Sequence, residues 1–127
     1  MSKEPTTKEP ARLVSLAALA EGRPHRAELE CIPLVVVRAG SVVNVLYGRC
    51  PHRSADLCCG TIEGPELVCN EHGWAFELKT GLSQGLPGVS IRRFDAWVDE
   101  ETGVVMVDAA DVRAFREDEL DTFAYDL

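Results

Sequence analysis

The stretch Arg49–Trp74 reads RCPHRSADLCCGTIEGPELVCNEHGW and holds four of the chain's five cysteines and two of its three histidines. One residue separates Cys50 from His52, and two residues separate Cys69 from His72, with sixteen residues between the two pairs. Thiolates and imidazoles are ligands of soft and borderline transition metals. This stretch therefore predicts a metal site whose ligands are Cys50, His52, Cys69 and His72.

Two kinds of metal centre suit two thiolates and two imidazoles. One is tetrahedral zinc, and the other is an iron–sulfur cluster in which histidines replace cysteines on one iron. Structural zinc sites usually take two cysteines from one tight turn, with two to four residues between them. Here each short motif holds one cysteine and one histidine, so each loop can give a thiolate to one iron and an imidazole to the other. The mixed pairs favour a two-iron cluster, with zinc or unrelated core residues as the alternative.

The segments around this stretch have the two-residue alternation and the β-branched runs of strands. They are HRAELECI from His25, PLVVVRA from Pro33, SVVNVLYG from Ser41, VSIRRFDAWV from Val89 and GVVMVD from Gly103. Gly40-Ser41 is a candidate turn, and Gly64-Pro65 is another, between short strands at 61–63 and 66–69. We expect an all-β fold, barrel or sandwich, in which this second hairpin brings the two ligand pairs together.

A single domain is expected, because 127 residues are enough for one sizeable core and too few for two. Residues 11–108 contain no internal repeat and no domain boundary, and we take them as this domain. Residues 1–10 are polar and include two prolines, which predicts a flexible N-terminal tail. Residues 109–127 form an acidic C-terminal extension.

The extension is expected to contain a short helix with Asp111 as its N-cap. Val112, Phe115 and Leu120 fall roughly on one side of this helix. The acidic run REDELD from Arg116 is expected to be a solvated face. The match to a helical period is only partial, so the helix is a minor element of the predicted fold.

The charge of the chain narrows its partners. Lys and Arg number 13 against 21 Asp and Glu, a formal net charge of -8, which argues against nucleic acid or an anionic membrane surface as a partner. No stretch approaches the eighteen or so apolar residues of a membrane span, and LVSLAALA from Leu13 lacks the cleavage pattern of a secretory signal. Five cysteines exclude a fully paired disulfide framework within one chain. We expect a cytoplasmic monomer.

Two motifs carry a resemblance to a known family. CPHR from Cys50 and CNEHGWAF from Cys69 resemble the Rieske [2Fe–2S] proteins, in particular the Rieske domains of ring-hydroxylating oxygenases and their soluble ferredoxins. The resemblance implies an antiparallel β sandwich with a small cluster-binding subdomain. It also implies one [2Fe–2S] cluster, with Cys50 and Cys69 as ligands of one iron and His52 and His72 as ligands of the other.

Departures from the quinol-oxidising branch of that family predict a low reduction potential. That branch has a further cysteine in each ligand loop, and the two form a disulfide, whereas this chain has Ala55 and Glu71. It also has hydroxyl residues that hydrogen-bond to the cluster sulfurs, whereas this chain has Trp74 and Phe76. Fewer such hydrogen bonds disfavour the reduced, more negative cluster, so we expect a potential in the lower part of the Rieske range.

Other candidate residues have supporting roles. Leu86-Pro87-Gly88 is a candidate for the proline-containing loop that covers the cluster in family members. Cys58 and Cys59 are expected to be small packed side chains without a redox role. Cys31 is expected in the core, and His25 on the surface of a strand.

The resemblance implies an electron-transfer protein with no substrate of its own, which passes one electron at a time from a flavin reductase to an oxygenase. The family's catalytic subunits add a larger domain with a mononuclear iron bound by two histidines and a carboxylate. Only His25 remains here once the cluster ligands are counted, so this chain has too few histidines for such a mononuclear iron site. The alternative is a Rieske subunit, or an excised N-terminal module, of a larger oxygenase or flavin-dependent enzyme. A third hypothesis, a cluster-free structural subunit, conflicts with the presence of all four ligands.

Overall fold

The computed structural model describes residues 8–51, 55–71 and 73–126, with side chains as far as Asp118. Within them the secondary structure is mostly strand, with two short 3-10 helices, Leu16–Ala18 and Leu57–Cys59, and one C-terminal α-helix, so the all-β class is confirmed. The elements are β1 (Pro10–Ser15), β2 (His25–Leu29), β3 (Ile32–Ala39), β4 (Val42–Tyr47), β5 (Thr61–Glu63), β6 (Glu66–Val68), β7 (Ala75–Glu77), β8 (Arg93–Phe94), β9 (Ala96–Val98), β10 (Val104–Asp108) and α1 (Ala109–Asp126).

The strands form three antiparallel sheets. Their strand orders are β1-β10-β9, β2-β3-β4-β8 and β5-β6-β7. The first two sheets bury a shared core, to which β3 contributes Leu34 and Val36 and β10 contributes Val105 and Val107. The third sheet is the small hairpin predicted around Gly64-Pro65, extended by β7. The molecule is therefore a β sandwich with a small three-stranded subdomain.

Strand β3 separates two cores. Leu34 and Val36 belong to the sandwich core, whereas Val35 and Val37 belong to a second core beneath the three-stranded sheet. Side chains alternate between the two faces of a strand. An unbroken run of apolar residues such as LVVV is therefore expected where both faces are buried.

The sequence predicts one strand from Val89 to Val98, but the structure divides this segment between two sheets. Arg93–Phe94 pair with β4, whereas Ala96–Val98 pair with β10 of the other sheet. The chain changes sheets at Asp95, because the two sheets of the sandwich meet at this corner. The predicted last hairpin is present, and its turn is closed by the N–H of Gly103, which donates to the carbonyl of Asp99 at 2.7 Å.

Cys31 lies outside the core, contrary to expectation, and is exposed. Glu30 and Cys31 have φ angles of 56° and 65° and form the two-residue turn between β2 and β3. Two consecutive left-handed residues match the right-handed twist of a hairpin, but they are unusual without glycine or asparagine. The alternation of HRAELECI therefore gave no sign of the turn.

The helix α1 begins earlier than predicted, at Ala109. Asp108 caps its N-terminus, because Asp108 Oδ1 accepts the N–H of Ala110 at 3.1 Å, while the N–H of Ala109 donates to the carbonyl of Glu9 at 2.8 Å. Asp111 is not the N-cap. It lies inside the first turn and forms an ion pair with Arg92. Asp108 takes the N-terminal position instead, because β10 runs directly into the helix.

The predicted apolar side of α1 packs on the sandwich. Val112 is fully buried, and the Phe115 ring lies 4.9 Å from the ring of Tyr47 and 5.5 Å from that of Phe94, between centroids. The side chain of Leu120 lies outside the described residues. Within the described chain, no helix combines the length and the hydropathy that a membrane crossing needs.

Candidate metal centre

Cys50 and Cys69 begin two loops with the same closing hydrogen bond. The N–H of Cys50 donates to the carbonyl of Ala55 at 2.9 Å, and the N–H of Cys69 donates to the carbonyl of Trp74 at 2.7 Å. In each loop the acceptor lies five residues after the cysteine. The two predicted histidine ligands, His52 and His72, fall within these loops in sequence but lie outside the described residues.

Both cysteines are buried in the same core. Cys50 is 0% exposed and Cys69 is 1% exposed. They share the second core with Leu57, Leu67 and Phe76, which are also fully buried. The fold therefore brings together the two predicted thiolate ligands, although nineteen positions separate them in the sequence.

The segment that follows the first loop and the strand that precedes the second loop are in close backbone contact. The first loop is followed by a short 3-10 helix, Leu57–Cys59, and then by Gly60. A Cβ atom at Gly60 would lie 2.3 Å from the carbonyl oxygen of Val68, the residue immediately before Cys69. Only glycine permits this approach, so Gly60 lets the segment after the first loop pack against the strand that carries the second cysteine.

The sulfur of Cys69 accepts a backbone hydrogen bond. The N–H of Glu71 points to Cys69 Sγ at 3.4 Å. Hydrogen bonds to sulfur favour the thiolate and the more negative, reduced state of an iron–sulfur cluster. Two buried thiols on equivalent loops, one of them with an N–H donor on its sulfur, fit the donor set of a metal–thiolate centre.

Comparison with known proteins adds a family to this geometry. The model of the Rieske [2Fe–2S] domain matches residues 10–95, which include both loops. The chain belongs to the Rieske [2Fe–2S] domain family. Membership implies a Rieske-type [2Fe–2S] cluster.

Two kinds of Rieske relative resemble the chain. The ferredoxin of carbazole 1,9a-dioxygenase from Nocardioides aromaticivorans is 29% identical, with a TM-score of 0.71 over 78% of this chain and 96% of that chain. A chain in the complex of reduced oxygenase and oxidised ferredoxin of a carbazole 1,9a-dioxygenase is 28% identical, with a TM-score of 0.70 over 81% and 95%. The methylxanthine N1-demethylase NdmA of Pseudomonas putida is 32% identical over 83 residues, which are 58% of this chain and 23% of the relative. The chain thus spans less than a quarter of that curated relative.

The positions after the second ligand motif of this Rieske domain carry packed aromatic rings. Phe76 is fully buried, and Trp74 packs against the second core that contains both cysteines. Neither side chain offers a hydroxyl group to a cluster sulfur. The surroundings of this site are therefore apolar on the side of β7.

The predicted third loop of the Rieske domain is rooted in the same core. The N–H of Ile91 donates to the carbonyl of Gly81 at 2.8 Å, and the N–H of Ser83 donates to that of Val89 at 3.0 Å. These bonds close the segment 81–91, and Ile91 and Val89 pack on the second core. Leu86-Pro87-Gly88 lies at the far end of this closed loop, and its role in covering the cluster stays a prediction.

Cys58 and Cys59 differ, although they are neighbours in sequence. Cys58 is half-buried against the second core, as predicted, and its thiol donates to the carbonyl of Leu34 at 3.8 Å. Cys59 is exposed, so the prediction of a packed side chain is wrong for it. Successive residues of a 3-10 helix point to different sides, and here Leu57 points inward and Cys59 outward.

Cys58 should resist alkylation. Burial raises the pKa of its thiol to about 11, against a hydrogen bond with Arg26 that lowers the pKa. Because the thiolate is the nucleophile, a pKa of about 11 leaves only about one Cys58 side chain in a thousand in the reactive form at pH 8. We expect iodoacetamide at pH 8 to modify exposed Cys31 and Cys59 first, as measured by peptide mass spectrometry. Equal labelling rates at Cys58 and Cys59 would contradict this expectation.

Two residues of the site were missed by the sequence analysis. Gly60 permits the contact between the segment after the first loop and the strand before the second, and Asp56 caps the 3-10 helix by accepting the N–H of Cys58 at 3.0 Å. The only local signal was the residue type, because aspartate commonly caps helical turns. Gly60 gave no signal, since its role depends on Val68 in another strand.

Proposed function

We propose that this protein is a one-electron carrier that passes electrons from a flavin reductase to an oxygenase. The observation that carries the proposal is the coverage of a ferredoxin: the chain aligns with 96% of the ferredoxin of carbazole 1,9a-dioxygenase. Its two buried cysteines on equivalent loops supply the thiolate half of a cluster site. On this proposal the protein transforms no substrate itself.

We assign Cys50 and Cys69 to one iron and His52 and His72 to the other. When bound, the cluster supplies a centre that accepts and releases one electron. The chain holds both sulfurs in an apolar core that excludes water on their inner side, and the backbone of Glu71 donates one hydrogen bond to Cys69. Imidazole ligands lower the negative charge at their iron and favour the uptake of an electron there.

The partners and the setting belong to the same proposal. The resemblance to a chain in an oxygenase–ferredoxin complex supports a terminal oxygenase as the electron acceptor. We propose that the protein is a monomer in the cytoplasm, where a reducing environment suits the exposed thiols of Cys31 and Cys59. We also propose residues 11–108 as the Rieske domain, with 109–127 as an acidic extension. Of the tail predicted at 1–10, Pro10 instead belongs to β1 and pairs with Asp108.

A second candidate is a Rieske module of a larger redox enzyme. The similarity to a demethylase, of which the chain spans 23%, favours this candidate. A free carrier can be reduced by one protein and oxidised by another in repeated cycles, whereas a module works on a domain joined to it. Repeated turnover in solution therefore separates the two.

The test uses the purified, cluster-loaded protein. We expect about two irons and two acid-labile sulfides per chain and a potential in the lower part of the range of about −150 to +300 mV. With a flavin-dependent ferredoxin reductase and NADH, small amounts of the protein should sustain the reduction of excess cytochrome c. A colourless protein with one zinc would overturn the cluster. A red protein that does not speed cytochrome c reduction, although dithionite reduces it, would favour the module.

A further inference from the structure

Asp56 lies at the neck of the first ligand loop, by which we mean the two paired backbone segments 48–50 and 55–57. Its backbone forms an antiparallel bridge with Arg49, immediately before Cys50. On either side of this bridge, the N–H of Cys50 donates to Ala55 and the N–H of Leu57 donates to Gly48, both at 2.9 Å. Any movement of Asp56 therefore moves both strands of the neck and the cysteine at its end.

The carboxylate of Asp56 ties this neck to the main sheet. One of its oxygens accepts the N–H of Cys58 at 3.0 Å, and the other forms an ion pair with Arg26 of β2. Arg26 lies thirty positions away in sequence, on a strand that pairs with β3. The Arg26–Asp56 pair thus joins the loop of Cys50 to the four-stranded sheet.

Cys58 also ties this side of the neck to the main sheet, because its thiol donates to the carbonyl of Leu34 at 3.8 Å. A pocket of about 350 Å³ lies beside the pair and is lined by the side chains of both residues and of Cys58. This open volume leaves the neck room to shift when the pair is broken. The inner side of the neck is different, since Leu57 is fully buried there.

We propose that Arg26 and Asp56 are positioning residues that fix the first ligand loop, and with it Cys50, relative to the second loop. This inference rests on the proposed function, since it concerns the cluster that the two loops would share. Neither side chain is offered as a ligand. They act on the cluster through the backbone of residues 48–50 and 55–57.

The exposure of the pair predicts an unusual combination of effects. The side chains are 65% and 30% exposed, and exposed ion pairs contribute little to global stability. Residues that orient metal ligands commonly change metal affinity 10- to 100-fold when they are replaced. Breaking the pair should therefore change the cluster far more than it changes the unfolding of the chain.

The experiment compares cluster-loaded variants. Asp56→Ala is expected to lose the visible absorbance of the cluster about tenfold faster than the unchanged protein and to broaden the EPR signal of the reduced cluster. Arg26→Gln and Asp56→Asn should give smaller losses in the same direction. They change the net charge in opposite directions, so a shared loss reports the broken pair and not long-range electrostatics. Arg26→Lys should retain the behaviour of the unchanged protein.

The matched control is Asp111→Asn, which breaks another partly exposed ion pair, between Arg92 and the helix. It should leave the rate of cluster loss and the EPR signal unchanged. Unchanged rates and spectra in Asp56→Asn and Arg26→Gln would overturn the inference, as would equal effects of Asp111→Asn. If Asp56→Ala does not fold, these two milder variants decide the question. If the protein without any substitution contains no cluster, the proposed function itself is overturned.

Discussion

Replacing Cys69 by alanine is expected to give a colourless protein that contains no [2Fe–2S] cluster. Among the described residues, Cys50 and Cys69 are the two fully buried thiols of the second core, and Cys58 is half-buried against it. Alanine removes a thiolate that no neighbouring water can replace in an apolar core. Cys50→Ala should have the same effect. Iron and sulfide analysis with visible spectroscopy measures both outcomes.

The controls for this prediction come from the same chain. Cys59→Ala removes a thiol ten positions before Cys69, and Cys31→Ala removes one in an exposed turn. Both should retain the cluster in full, because neither side chain reaches the second core. A normal spectrum in Cys69→Ala, or loss of the cluster in Cys59→Ala, would show that the ligands are misassigned.

Phe76→Ala should lower the free energy of unfolding by about 3–5 kcal/mol. Phe76 is 0% exposed, and it packs in the core that contains both cysteines. Truncation leaves a cavity that β7 cannot move to fill, because β7 is held by β6. Urea unfolding followed by circular dichroism measures the loss of stability, and visible absorbance reports the cluster in the same samples.

Phe94→Ala is the matched variant in the other core. Phe94 is also 0% exposed, but it belongs to the sandwich core and touches Phe115 of α1. The loss of stability should be similar. In Phe76→Ala the visible absorbance should fall at lower urea than the circular dichroism signal, whereas in Phe94→Ala the two should fall together. The same order of transitions in both variants would mean that the two cores are not distinct.

The sequence predicted those parts of the fold that depend on neighbouring residues. The alternation of apolar residues placed the long strands, and Gly64-Pro65 placed the hairpin between the ligand loops, because turn chemistry is local. The spacing of cysteine and histidine pointed to the cluster, since both ligand pairs lie in short motifs. The histidine ligands themselves stay predictions.

The features that the sequence did not predict depend on distant contacts. The strand from Val89 breaks at Asp95 because two sheets meet there, which no local pattern records. The helix begins after Asp108 because β10 ends there. Arg26 and Asp56 are thirty positions apart, so nothing in either segment indicates that they form a pair.

The pairing of β4 with β8 has a consequence for how the molecule is assembled. Val45 lies opposite Phe94, and the N–H of Tyr47 donates to the carbonyl of Arg92 at 2.8 Å, so the chain returns to the sandwich beside the point where it left. Residues 48–92 are thus one long insert between adjacent strands, and the cost of closing such a loop rises only slowly with its length. The sandwich can keep its register while the insert lengthens, shortens or exchanges its metal chemistry. Such divergence is limited where the insert packs on the sandwich, at Val35 and Val37 of β3 and Leu46 of β4.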